Sequence, residues 1–328
     1  MFQLNIQKNS KTTLFNTTKI WDLLIIGGGP AGLNAALYAQ RKGLLVGLIT
    51  KEIGGQLHNT TSVENYLGFE YIEGASLSQS FHKHVKSLDI PILVDHLVTN
   101  LEKNKEEIFE LTLDNNKSLK AKTVLFATGA SPRKLGIEGE DTFASKGVSY
   151  CTTCDAPFFK GKHVIVAGGG NSAAEAVLDL SVWASKITVV HRSQWRADQI
   201  LLDKLNELDH VTVRLNTNLV SVGGKEKMES VIIFDKMTQE NEAIKAEGLF
   251  VEIGIIPNTG LLVNKITMNQ QKEIIVDESL MTSMPGLFAA GDVTTNRHKQ
   301  IIIAASDGAK AALSIQTYLR NQTKGEIK

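Results

Sequence analysis

Cys151 and Cys154 are the only cysteines in this chain of 328 residues, and they share one short motif, Cys151-Thr152-Thr153-Cys154. A structural zinc site would need four ligands, but there is no second Cys or Cys/His pair and the nearest histidine, His163, stands alone, so no metal is expected. Three readings remain open. A purely structural disulfide across so short a loop gains little chain entropy. The pair could be two inert buried thiols. It could also be a redox dithiol whose attacking thiolate is tuned by its surroundings. Asp155 follows directly and could shuttle the proton that thiol–disulfide interchange must move, or simply cap a turn.

The glycines form the second chemical signal. Gly27, Gly29 and Gly32 have the spacing G-x-G-x-x-G, and Gly168, Gly170 and Ala173 repeat it with a final alanine. In such a loop the first glycine permits a tight turn and the second lets the backbone approach a pyrophosphate. The third allows close helix–strand packing, and the phosphates lie at the helix N-terminus. A glycine-rich turn without a ligand is the plainer alternative. The second copy leads to His191-Arg192, with Arg196 just beyond. An NAD site usually places an acid there for the ribose 2′-hydroxyl, whereas arginine suits a 2′-phosphate, so the expectation is NADPH, with NADH not excluded.

Both loops need a strand before them and a helix after them, and the sequence supplies both. Trp21–Ile26 is short, apolar and β-favouring, 33–39 is rich in helix formers, Gly43 is a plausible stop and 45–49 reads as a second buried strand. The same series recurs as 163–167, 174–178 and 187–190. Gly27 and Gly168 lie 141 residues apart, and adding 23 to each reaches Thr50 and His191, where the second strands end. Thr128–Pro132 and Ile253–Pro257 form a further matched pair, each with a glycine three residues before a proline, and read as interdomain crossings. The expected fold class is α/β, an internal duplication of two Rossmann-like dinucleotide-binding domains, the second inserted into the first. The domains are placed at 20–132 plus 258–328 and at 133–257. In the returning tail, a strand at 286–290 leads to Gly291-Asp292, whose carboxylate can reach a ligand in the crevice or form an Asx turn, and a helix is expected from Ile301 to Leu319.

Thirty-five basic residues balance thirty-five acidic ones. That removes the simple electrostatic case for nucleic acid or an anionic membrane surface. No apolar run approaches the ~20 residues that span a bilayer. Residues 1–19 lack a signal-peptide core and read as a flexible tail, with an organellar transit peptide the weaker alternative; a cytoplasmic protein is expected. His82 and His84 are read as surface residues.

These residues resemble the low-molecular-weight thioredoxin reductases and the related flavoprotein portion of alkyl hydroperoxide reductase, from about Ile20 to Leu319. The resemblance rests on Gly-Gly-Gly-Pro-Ala-Gly (27–32), Gly-Gly-Gln-Leu (54–57), Val-Glu-Asn-Tyr (63–66), Ala-Thr-Gly-Ala (127–130) and Cys-x-x-Cys-Asp (151–155). It continues with Gly-Gly-Gly-Asn-Ser-Ala (168–173), Ile-Gly-x-x-Pro-Asn (253–258) and Ala-Ala-Gly-Asp (289–292). It implies FAD against Gly27, Gly29, Pro30, Gly32, Gly55, Gln56, Asn65, Thr128, Gly129, Gly291, Asp292, Gln300 and Ile301. It implies a nicotinamide dinucleotide against Gly168, Gly170, Asn171, Ser172, Ala173, His191, Arg192, Arg196 and Gly254. Further implications are a homodimer, a domain rotation that alternates which partner faces the flavin, and hydride flow from NADPH through FAD to a Cys151–Cys154 disulfide and on to thioredoxin or a thioredoxin-like protein. In that scheme Cys154 is the thiol nearer the flavin and Cys151 attacks the incoming disulfide.

Three departures mark this chain. The family's Cys-Asp-Gly is Cys154-Asp155-Ala156-Pro157 here, its paired arginines become Arg192-Ser193, and Lys299–Ala304 looks more like the alkyl hydroperoxide reductase branch. That branch usually adds an N-terminal thioredoxin-like module with its own Cys pair, and two cysteines with 19 preceding residues leave no room for one. NADH or ferredoxin as donor, a peroxiredoxin- or glutaredoxin-like acceptor, and a non-catalytic flavin-bound redox sensor stand as alternatives.

Overall fold

The computed structural model describes Phe15, residues 18–60 and residues 62–323. Most of the expected tail, 1–19, lies outside the described residues. Phe15, which is within them, is half-buried with its ring 4.8 Å from that of Trp21, so the chain is already packed at this point.

The described residues form two compact units, one of 18–60, 72–131 and 257–323 together with Phe15, the other of 62–71 and 132–256. The chain passes between them after residue 60, at 71/72, at 131/132 and at 256/257. Residues 62–71, placed by sequence with the first domain, group with the second unit. This stretch is turn-rich, and although Leu67, Phe69 and Tyr71 alternate along it, all three are exposed.

The first unit is built on the parallel strands Ile92–Leu93, Val46–Ile53, Ile20–Gly28 and Ser118–Phe126, with Leu287–Ala289 also paired to the last of these. Antiparallel strands Phe109–Leu113 and Val98–Lys103 extend the far edge. Alternation sorts the central strand. Leu23 and Ile25 join the cluster that includes Leu33, Ala36 and Ile315, while Leu24 and Ile26 join Phe109, Phe126 and Leu287 on the opposite face; Trp21, near the strand's start, departs from the alternation and packs with the second cluster. The helix Pro30–Arg41 starts on a proline that loses no hydrogen bond there. The long helix Ile301–Thr323 crosses it so closely that a Cβ on Gly308 would fall on the Ala31 carbonyl.

The second unit repeats the plan. Its parallel sheet runs Val211–Arg214, Lys186–Val190, His163–Ala167, Gly248–Val251 and Val148–Ser149. Val164 and Val166 face the cluster holding the helix Asn171–Ser181, and Ile165 and Ala167 face the other. An antiparallel ribbon, Thr217–Gly224, Met228–Asp235 and Glu240–Lys245, completes the unit.

Candidate active site: two dinucleotide cradles and a disulfide

In the first unit the strand Ile20–Gly28 ends in a turn that only glycine can make. Gly27 has φ +114°, and a side chain there would run into the Ala127 carbonyl. Gly32 packs the helix onto that turn, since a Cβ on it would fall on the Gly27 carbonyl. Around Gly29, by contrast, no protein atom lies within 4 Å of where a Cβ would be, which leaves the loop open to a pyrophosphate at the helix N-terminus.

A cavity of about 570 Å³ opens over this loop. Of the residues assigned to FAD by sequence, Gly27, Gly29, Pro30, Gly55, Gln56, Thr128, Gly129, Gly291 and Asp292 line it. Gly32 lies beneath it as packing, and Gln300 and Ile301, where the long helix begins, are not among the lining residues. Asn65 belongs to the segment grouped with the second unit. The structure adds Glu52 and His96, which sequence reasoning missed. Glu52 had a signal, an acid just past the second strand's core, where a ribose hydroxyl would be held. His96 had none, because its place depends on the hydrogen bond between its Nδ1 and the Asp114 carboxylate at 2.8 Å.

Burial pushes the Asp292 carboxyl up to about 6, with Lys299 pulling it down and Asp307 pushing it up. An unfolded Asp ionises near 3.8. Between those values the folded state therefore holds more protons, and without bound ligand the protein should lose stability as pH rises from about 4 to about 6. Urea melts across that range should show a slope to which Asp292 contributes at most about 3 kcal/mol, alongside Asp155, Asp179 and Glu252, whose pKa values burial also raises, and Asp292→Asn should make it shallower. An unchanged slope in the variant would remove Asp292 as a source.

The second unit carries a cavity of about 810 Å³. Gly168, Gly170, Ser172, His191, Arg192, Arg196 and Gly254 line it, as do Arg133, Lys134, Asn218 and Glu252, which sequence reasoning missed. Asn171 points elsewhere: its amide donates to the Asp198 carboxylate at 2.8 Å, and its oxygen accepts the Asp198 N–H at 2.8 Å. Ala173 is wholly buried in the core. The Arg196 N–H donates to the Gly169 carbonyl at 2.7 Å, which ties the arginine-bearing loop to the glycine loop. His191 is buried beside Gly169, and burial, with Arg196 and Arg192 nearby, lowers its pKa. As in the first unit, space is open around Gly170. Glycine loop, open approach and cationic rim together fit a phosphate-bearing ligand.

Cys151 and Cys154 are joined in a disulfide, and both are half-buried. The Ser149 hydroxyl organises the motif by donating to the Asp155 carboxylate at 2.6 Å and accepting the Cys151 N–H at 3.1 Å. Burial raises the Asp155 pKa, with the Ser149 hydrogen bond opposing, so this carboxyl, next to Cys154 in the chain, is biased towards holding a proton. Pro157, one of the departures from the family pattern, sits in the first turn of the 3₁₀ segment Ala156–Phe159, where its missing N–H is not needed. Among the described residues no cluster of His, Cys, Asp or Glu is arranged to hold a metal ion, and no helix is long and apolar enough to cross a membrane.

Comparison with known proteins agrees with this geometry. A family model described as pyridine nucleotide-disulphide oxidoreductase matches residues 21–308. The chain is 42% identical over 300 residues to a protein named NADH dehydrogenase from Bacillus subtilis, covering 91% of this chain and 58% of that relative. It is 39% identical over 306 residues to the F subunit of alkyl hydroperoxide reductase from Staphylococcus epidermidis, covering 93% and 60%. The chain thus spans about 60% of the length of these curated relatives. Among solved structures, the thioredoxin reductase from Streptococcus pyogenes matches with a TM-score of 0.88 at 37% identity, over 92% of this chain and 99% of that one.

Proposed function

Because the chain belongs to the pyridine nucleotide-disulphide oxidoreductase family, we infer that it is a flavoprotein disulfide reductase of the thioredoxin reductase type. The family implies FAD and a nicotinamide dinucleotide. The observation that carries the finer reading is the Cys151–Cys154 disulfide with Asp155 held at its side by Ser149. The first cradle suits FAD and the second the nicotinamide dinucleotide.

Bound FAD would supply the two-electron relay between nicotinamide and disulfide. The chain's own residues do the rest. Two electrons break the Cys151–Cys154 bond, and two protons complete a dithiol, Asp155 being placed to hold one of them. The Cys151 thiolate then attacks the partner's disulfide and forms a mixed disulfide. Cys154 resolves it, re-forming the 151–154 bond and releasing the partner as a dithiol. Thioredoxin or a thioredoxin-like protein is the proposed partner, and a homodimer in the cytoplasm the proposed setting.

NADPH is the proposed donor, since Arg192 and Arg196 rim the second cavity where an NAD site would place an acid. Arg196→Ala should raise the Michaelis constant for NADPH about tenfold or more and leave that for NADH within about twofold. The relative named NADH dehydrogenase favours a second reading, with NADH as donor. In that case the same variant changes neither constant and NADH is the better substrate from the outset.

The experiment that tests the function is a coupled assay with NADPH or NADH as donor and thioredoxin, a glutaredoxin or a peroxiredoxin as acceptor. Rapid cycling with thioredoxin is expected. Cycling only with another acceptor would reassign the partner, and no cycling with any would favour a flavin-bound sensor.

A further inference from the structure

The motif Cys151–Cys154 is enclosed by carboxylates that reach it through its neighbours. Tyr150, directly before Cys151, donates its hydroxyl to Glu140 at 3.0 Å. Ser149 donates to Asp155. Thr152, directly after Cys151 and itself buried, donates its hydroxyl to a Glu252 oxygen at 2.6 Å, and the Thr152 N–H donates to the same carboxylate. Glu140 is fully used in holding the chain: it also accepts the N–H groups of Leu135 and Gly136, at 2.9 and 2.7 Å. Glu252 differs. It follows the strand Gly248–Val251 and lines the second cavity, so one residue borders the nucleotide cradle and also binds Thr152, one of the two residues between the half-cystines. None of the mechanism described above uses it.

We propose that Glu252, gripping Thr152, is a positioning residue that disfavours the Cys151 thiolate and so holds the 151–154 couple at a more reducing potential. The inference rests on the reading of this pair as a working dithiol. Its physical basis is repulsion between like charges: a carboxylate close to a thiol raises the thiol's pKa. A couple whose reduced form gains less from thiolate stabilisation has a lower potential, which suits a donor of electrons to other disulfides. Glu175 and Asp179, on the helix Asn171–Ser181 packed against the motif, act on Glu252 and raise its pKa, and Asp155 stands on the motif's own turn, while Arg133, Lys134, Arg192 and Arg196 line the same cavity as Glu252. Burial is the main cause that raises the Glu252 pKa, and the two hydrogen bonds from Thr152 oppose that rise, so Thr152 is the group that favours the charged form.

The test uses the flavin-bound protein reduced anaerobically with dithiothreitol and alkylated with iodoacetamide across a pH series, the reactive cysteine being identified by peptide mass. Glu252→Gln, which keeps the size of the side chain and removes its charge, should make Cys151 about tenfold more acidic. Once the thiol is ionised, that tenfold corresponds to a rise of about 30 mV in the two-electron potential. Thr152→Val should move both readouts in the same direction, the double variant should go no further than Glu252→Gln alone, and Thr152→Ser should restore the original values. An unchanged Cys151 acidity in Glu252→Gln that retains its flavin would overturn the inference. Should that variant fail to fold, the Thr152→Val and Thr152→Ser pair decides by the same readouts. Because reduction here is chemical, the result stands apart from whether a nicotinamide dinucleotide can deliver electrons to the pair.

Discussion

Cys151→Ser will lower the turnover of a protein disulfide by about a thousandfold or more, while reduction of the flavin by the nicotinamide dinucleotide proceeds at its former rate. The dissociation of the two effects is the informative part. Removing the attacking sulfur abolishes the mixed disulfide but leaves both dinucleotide cradles intact, since Cys151 lines neither cavity. Cys154→Ser should also end turnover, but it leaves Cys151 able to capture the partner. A stable mixed disulfide should then accumulate in Cys154→Ser and not in Cys151→Ser, visible by non-reducing electrophoresis. Turnover persisting in Cys151→Ser would show that electrons leave the protein by another route.

The second large effect belongs to the first cradle. Gly32→Val should yield protein without flavin and cost at least about 3 kcal/mol of stability. The added branched side chain would meet the Gly27 carbonyl head-on, and Gly27 has no room to retreat because its own far side abuts the Ala127 carbonyl. Pressing on this point forces apart the helix Pro30–Arg41 and the strand Ile20–Gly28, the two elements that shape the loop. The second copy carries alanine at the corresponding place, Ala173, buried without strain, which shows that the requirement is for a small residue and that the available space differs between copies. Flavin absorbance after purification and a thermal melt would check both parts. Full flavin content in Gly32→Val would contradict the packing argument.

Most of what locates the chemistry could be read along the chain, because it is written locally. An apolar β-favouring run, a glycine turn and a helix-forming stretch lie next to one another in each copy, and both loops occur where that order places them. What could not be read depends on distant partners. Glu252 lies 100 residues from Thr152, and no spacing rule links them; the parallel pairing of Gly248–Val251 with Val148–Ser149, the strand just before the motif, brings the acid to it. Asn65 sits in a turn-rich segment that joins no sheet beyond a single bridge residue, so its grouping with the second unit had no signature. The antiparallel ribbon at 217–245 did have one, alternating strands with Gly223-Gly224 just before the 225–227 turn, but it carries no chemistry and bears on the site only where Thr217, Asn218 and Leu219 line the cavity. Arg133 and Lys134 were hidden for a different reason. They follow a crossing point whose proline marked it as a connector, and their charges become relevant only when the crossing runs beside the glycine loop.

The central claim is that electrons pass from a nicotinamide dinucleotide through FAD into the Cys151–Cys154 bond. An anaerobic titration of the flavin-bound protein with NADPH or NADH, followed by alkylation and peptide mapping, measures it directly. The account predicts that the flavin is bleached and that Cys151 and Cys154 both become alkylated, with one equivalent of reduced nucleotide consumed for the flavin and one for the disulfide. Complete bleaching of the flavin with Cys151 and Cys154 still joined would contradict it.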